Sequence, residues 1–166
     1  MKRMILLSLF CLAGIVMANA QKFALIDMEY IMENIPEYQQ ANNELELASQ
    51  QYQKAVEAKA KEAEALYLAY QKAANTLSAT QRTQKEEAIV AKEREAAELR
   101  KKYFGPEGEM AQKQEALIAP IQNRIYEAVK QISSQKGYDA VIDRASATSI
   151  IFASPRIDIS NEVLVK

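Results

Sequence analysis

The side chains with the most chemical reach beside the apolar segments are four carboxylates, Asp27, Asp139, Asp143 and Asp158. Paired carboxylates can divide acid and base roles between them. A catalytic site also needs partner groups, and this chain lacks them. It has no histidine, so it offers no imidazole base and no histidine ligand. Its one cysteine, Cys11, lies inside an N-terminal apolar run, which leaves no thiol nucleophile and no usual zinc set beyond that run. No Gly-rich phosphate loop is present. Aspartates at strand ends ordinarily cap helices and close turns, and that is the role expected of these four. No catalytic residue, metal or cofactor is expected, and the chain does not read as an enzyme.

Aromatic and cationic surface is what remains. Tyr52, Tyr67 and Tyr70 sit among alanines in one helical stretch, and Tyr103-Phe104 in the next. Packing between two helices accounts for most such rings. The facing stretch supplies few large partners, however, so some aromatic surface should stay open for a binding partner. Between Glu37 and Lys102 the charges balance, 11 acidic against 11 basic, as on a solvated coiled-coil face. Between Glu64 and Glu86 the only charges are Lys72, Arg82 and Lys85. Three cations at about 1 kcal/mol each support only transient contact with an anionic lipid surface.

These residues are held by an α+β layout in which a long antiparallel helical hairpin interrupts a small β body. Lys22–Asp27 reads as a strand with apolar residues on both faces. Asp27 can cap a short helix through Glu33, and Pro36 suits the first turn of the next. From Tyr38 to Leu77 a seam steps by 3 and 4, the pattern of a coiled coil. A run of 4s from Ala48 through Tyr52 and Val56 to Ala60 acts as a stutter. This arm of about 40 residues spans roughly 60 Å. Ser78-Ala79-Thr80-Gln81 matches a capping box, so a return helix is expected from Ala79.

Gly105-Pro106-Glu107-Gly108 interrupts the return helix as a kink. A final helix carries a richer apolar stripe, including Leu117, Ile121, Ile125, Val129 and Ile132; Pro120 is expected to bend it, and Gly137 to stop it. Tyr138–Asp143 and Ser149–Ala153 read as two more strands. Ser160 is expected to cap a last short helix. The hairpin arm is therefore residues 37–108, and the body residues 21–36 with 109–166. A body this small needs an oligomer to complete its core. Phe23, Leu25, Ile26, Val141, Ile142, Ile150, Ile151 and Phe152 are the expected core of that oligomer.

Residues 1–20 read as an export signal. Lys2 and Arg3 precede an apolar run through Met17, and Ala18-Asn19-Ala20 forms a small-residue cleavage site after Ala20. Losing Lys2 and Arg3 leaves 19 basic and 22 acidic side chains, a net charge of −3. That balance does not suit a polyanion, so nucleic acid is not an expected partner. Export without another cysteine also removes disulfides as a source of stability.

Two end segments carry a resemblance. Lys22-Phe23-Ala24-Leu25-Ile26-Asp27-Met28 resembles the opening strand of the Skp/OmpH family of periplasmic chaperones. Ile121-Gln122-Asn123-Arg124-Ile125-Tyr126-Glu127-Ala128-Val129-Lys130 with Tyr138-Asp139-Ala140-Val141-Ile142-Asp143 resembles its closing helix and strand. Asp158-Ile159-Ser160-Asn161-Glu162-Val163-Leu164 resembles its last segment. The order of strand, hairpin and strand agrees from residue 21 onward.

The resemblance implies a homotrimer whose pooled strands form a small central barrel and whose three hairpins enclose a cavity. It implies clients that are unfolded outer-membrane β-barrel proteins, held in the periplasm without ATP or any other nucleotide. The arms of that family are often strongly basic. Here they are neutral overall, which leaves a transient contact of the tip with membrane or lipopolysaccharide. On this reading Tyr52, Tyr67, Tyr70, Tyr103 and Phe104 contact the client. The alternative is a structural coiled-coil spacer or adaptor of the cell envelope, which predicts a filled hairpin seam.

Overall fold

The computed structural model describes residues 21–147 and 149–166. The export signal expected over residues 1–20 lies outside them. The described residues fall into two compact units, residues 21–31 with 126–166, and residues 32–125. They are mostly helical, with a long helical hairpin and a small strand region.

In the first unit, β1 (Phe23–Ile26) and β2 (Ala140–Asp143) pair in parallel, Phe23 opposite Ala140 and Ile26 opposite Asp143. Ala24, Leu25 and Ile26 are all buried, so β1 is covered on both faces. Asp27 ends the strand and caps α1 (Met28–Glu33), its Oδ1 accepting the Tyr30 N–H at 2.9 Å. The cap sets the helix so that Ile31 is fully buried. Ile132, Ile159 and Val163 complete this core. Full burial of side chains such as Ile31 and Ile159 contributes about 1.5–3 kcal/mol each relative to exposure.

The expected strand Ser149–Ala153 is not formed. Ile151 is 101% exposed and Phe152 86%, while Ile150 is half-buried. The reason lies at β1. Its free side is met by the chain around Asp158: Leu25 and Asp158 form a parallel bridge, and the Ile159 N–H donates to the Leu25 carbonyl at 2.9 Å. β1 thus has no edge left for residues 149–153, and they do not pair with the outer edge of β2 either. Phe23 and Ile142, also assigned to an oligomer core, are exposed in the single chain, whereas Leu25 and Ile26 are buried and Val141 half-buried.

The final helix also differs from expectation at its start. α5 (Ser160–Leu164) has Ile159 at its N-cap with no side-chain cap; Ser160 is its first helical residue, and its N–H donates to Asp158 Oδ1 at 2.9 Å. Ser160 itself is buried. Its hydroxyl accepts the Asp27 N–H at 2.9 Å and donates to Asp158 Oδ1 at 2.6 Å.

The second unit holds α2 (Pro36–Ala73), a 3-10 turn at Ala74–Thr76, α3 (Ala79–Phe104) and the first part of α4 (Glu109–Lys136). Pro36 opens α2, where its missing N–H costs nothing. The capping box forms as the sequence predicts: Ser78 accepts from the Gln81 N–H, and the Gln81 side chain accepts from the Ser78 N–H. Ala41, Ala48, Val56 and Ala63 are the buried seam of α2, with Ile89 on α3. Ala60 and Tyr67 were expected on that seam and are exposed instead. Facing them, α3 offers Ala96 and Ala97, whose side chains end at Cβ and leave them uncovered.

α3 and α4 are separated at Gly105–Gly108, as expected. Gly108 is required there, since a Cβ would lie 2.8 Å from the Tyr103 carbonyl oxygen. α4 runs through Pro120 and stops at Gly137, whose φ of 68° suits glycine. The Tyr138 N–H returns to the Ser133 carbonyl at 3.0 Å, closing the helix end. No helix among the described residues is long and apolar enough to cross a membrane.

Candidate functional site

Beside the buried seam, α2 and α3 leave an open trough. Two cavities of about 580 and 620 Å³ share Val56, Glu57, Ala97 and Arg100 in their walls, so they form one continuous groove. Its floor is Val56, Ala60 and Ala63 from α2 with Ala96 and Ala97 from α3. Alanine ends at Cβ, so alanines facing each other across a hairpin leave the groove unfilled. Tyr67 stands at one end, 48% exposed, and Phe104 at the other, 40% exposed. From Gln53 to Tyr67 the trough runs about 21 Å along α2.

The five rings expected to contact a client do not share one environment. Tyr52 stacks on Tyr103, with centroids 4.1 Å apart and planes 7° from parallel. It meets Phe104 edge-on at 6.3 Å. Such pairs contribute about 0.5–1.5 kcal/mol each beyond area burial. Glu109 accepts from the Tyr52 hydroxyl and holds its phenol above the ordinary value. Lys102, paired with Glu109 at 3.1 Å, then Tyr52, keep the Glu109 carboxyl low. Tyr52 and Tyr103 therefore pack the arm. Tyr70 donates to Glu86, which ties α2 to α3 and raises its phenol. Only Tyr67 and Phe104 reach the trough.

Charges that the sequence did not single out border this groove. Glu64 and Glu93 lie toward Tyr67, Lys101 toward Phe104, and Glu57 and Arg100 between them. No ion pair to any of these five is found among the described residues. Glu62, next to Glu64, is by contrast paired with Lys59 at 3.0 Å and Lys92 at 3.6 Å. The available signal was spacing: Glu57 and Glu64, like Glu93 and Arg100, are seven apart and bracket alanines. At the tip, Lys72, Arg82 and Lys85 are all exposed and have no ion pair among the described residues.

The aspartates of the first unit hold the backbone. Asp139 accepts the Lys22 N–H at 2.8 Å. Asp143 accepts the N–H groups of Met28 and Ala145, both at 3.1 Å. Arg144 reaches Asp27 at 3.1 Å and Asp158 at 3.4 Å. Burial would raise the Asp143 and Asp158 carboxyls. Hydrogen bonds from Met28, Ser146 and Ala145 hold Asp143 below its ordinary value, and those from Ser160, with the Arg144 charge, do so for Asp158. No group of metal-ligating side chains occurs among the described residues. The trough has no nucleophile either; what it offers is apolar contact with charge at its ends.

A family model described as outer membrane protein (OmpH-like) matches residues 22–166. This chain belongs to the OmpH-like family. The chaperone protein Skp of Yersinia enterocolitica is 28% identical over 153 residues, which cover 92% of this chain and 90% of that relative. A crystal structure of an OmpH-like protein from Caulobacter crescentus matches with a TM-score of 0.68 at 12% identity, covering 87% of this chain and 82% of that one. At that identity the likeness is one of fold. The family match and the Skp relative support a chaperone role for this OmpH-like chain.

Proposed function

We propose that the chain is an ATP-independent periplasmic holdase. It binds unfolded outer-membrane β-barrel proteins through its helical arms and keeps them from aggregating. The observation that carries this reading is the open, alanine-floored trough with Tyr67 and Phe104 at its ends. Unfolded barrel chains expose apolar strands that aggregate. A protein that binds the unfolded population shifts it by mass action alone. Shallow contacts of this kind hold a client and still release it.

The reading includes a homotrimer built through the strand unit. It is supported by exposed Ile151, Phe152 and Val165, a surface that asks for a partner, and by β2, whose one strand partner among the described residues is β1. The cationic tip adds at most a transient contact with membrane or lipopolysaccharide. A structural spacer or adaptor is the alternative. Tyr52 stacked on Tyr103 is the filled seam it predicts; the open trough is not. The test is light scattering after a urea-denatured barrel protein is diluted into buffer. Near-stoichiometric protein should suppress the scattering without nucleotide. Unchanged scattering would remove the holdase reading.

A further inference from the structure

We propose that the trough seats one extended apolar segment of a client in a single orientation set by charge. This rests on the holdase reading and adds to it a specific site and a polarity. The groove is about 21 Å long, which matches about six extended residues. Its alanine floor distinguishes apolar from polar side chains but not one apolar residue from another. Selection must then come from the rim.

The rim is polarised. Glu64 and Glu93 lie at the Tyr67 end and Lys101 at the Phe104 end, while Glu57 and Arg100, opposite in sign, line both cavities between them. None of the end charges is neutralised within the described residues, although Lys59, Glu62, Lys92 and Glu95 are paired among themselves nearby. Opposite charges left open at the two ends of an apolar groove complement a segment with a basic residue at one end and an acidic residue at the other. In the reverse orientation like charges would face each other, and that penalty discriminates. The occupant is thus an unfolded strand segment whose apolar residues are bounded by charges of opposite sign.

Fluorescent peptides with a Leu/Tyr core and blocked termini test this by anisotropy at low salt. Their ends carry Lys and Glu, Lys at both, Glu at both, or Gln at both. The Lys/Glu peptide should bind about fivefold tighter than the Gln peptide, the scale of a pair of exposed ion pairs. In Glu64→Lys with Glu93→Lys, checked for unchanged helical circular dichroism, the doubly acidic peptide should become the tightest. A photoreactive group beside the peptide's Lys should label α3 near Ala96 and not near Phe104. Equal affinities for all four peptides, with suppression of barrel aggregation intact, would overturn the orientation and leave the holdase reading standing. Loss of suppression itself would overturn both. Chain-to-chain adducts from a photoreactive residue at position 97 would show a second copy in the trough and overturn the proposal.

Discussion

Tyr67→Ala removes the one tyrosine of the arm that faces the trough without a ring or hydrogen-bond partner in the seam. Full burial of an aromatic side chain covers about 150–250 Å². Tyr67 is 48% exposed, so a client can cover roughly 100 Å² more. At about 25 cal/mol per Å² that contact contributes about 2.5 kcal/mol at most. Ordering the ring and the client removes about 0.5–1.5 kcal/mol, which leaves roughly 1–2 kcal/mol. The dissociation constant of a labelled, urea-diluted barrel protein should therefore rise about five- to thirtyfold. The lower part of that range is expected, because a multivalent surface shares its contacts. The assay is fluorescence anisotropy at fixed ionic strength, with circular dichroism confirming an intact arm. An unchanged constant would refute the assignment of Tyr67 to the client.

Three further outcomes follow from the strand unit. Ser160→Ala strips the buried link between Asp27 and Asp158 and should lower stability in urea by about 1–3 kcal/mol; a midpoint equal to the parent's would mean the link is dispensable. Asp143 and Asp158 have folded values held below their ordinary 3.8, so their contribution is present above about pH 4 and is lost as pH falls through the folded values. The urea midpoint should drop as pH falls below about 4, and drop less in Asp158→Asn; an equal drop would assign the acid sensitivity to other groups. Phe152→Asp should leave the single chain folded, because Phe152 is exposed there, yet abolish trimers in sedimentation, since a charge buried without a partner costs several kcal/mol. Trimers of unchanged stability would place Phe152 outside the interface.

Helix ends were legible because their causes are local. Asp27, Pro36, Ser78 with Gln81, and Gly137 each act within about one turn of the chain they punctuate. The parallel pairing of β1 with β2 and the bridge at Asp158 join distant segments, and no local pattern shows them. Residues 149–153 illustrate the difference. An apolar run reads as a strand whether or not a sheet edge receives it; here Asp158 occupies the edge of β1 and the run leaves the edge of β2 unpaired. On the arm, heptad spacing identified Tyr52 and Tyr103 as seam residues and Tyr67 as one too. Tyr67 differs because it stands at the end of the trough that Ala96 and Ala97 of α3 leave open. The rim of the trough depends on how α2 and α3 align, which neither helix specifies alone.

The central claim, that unfolded clients are held on the arm, is tested most directly by photocrosslinking at two positions of α3. Position 97 lies on the trough floor. Position 94 is replaced as the control, since Arg94 is exposed, pairs with Glu98 and does not line the trough. A urea-denatured outer-membrane barrel protein is diluted into each protein and irradiated. The account predicts client adducts at position 97, few at 94, and none at either with the same barrel already folded. Equal labelling at both positions, or labelling of the folded barrel, would contradict it.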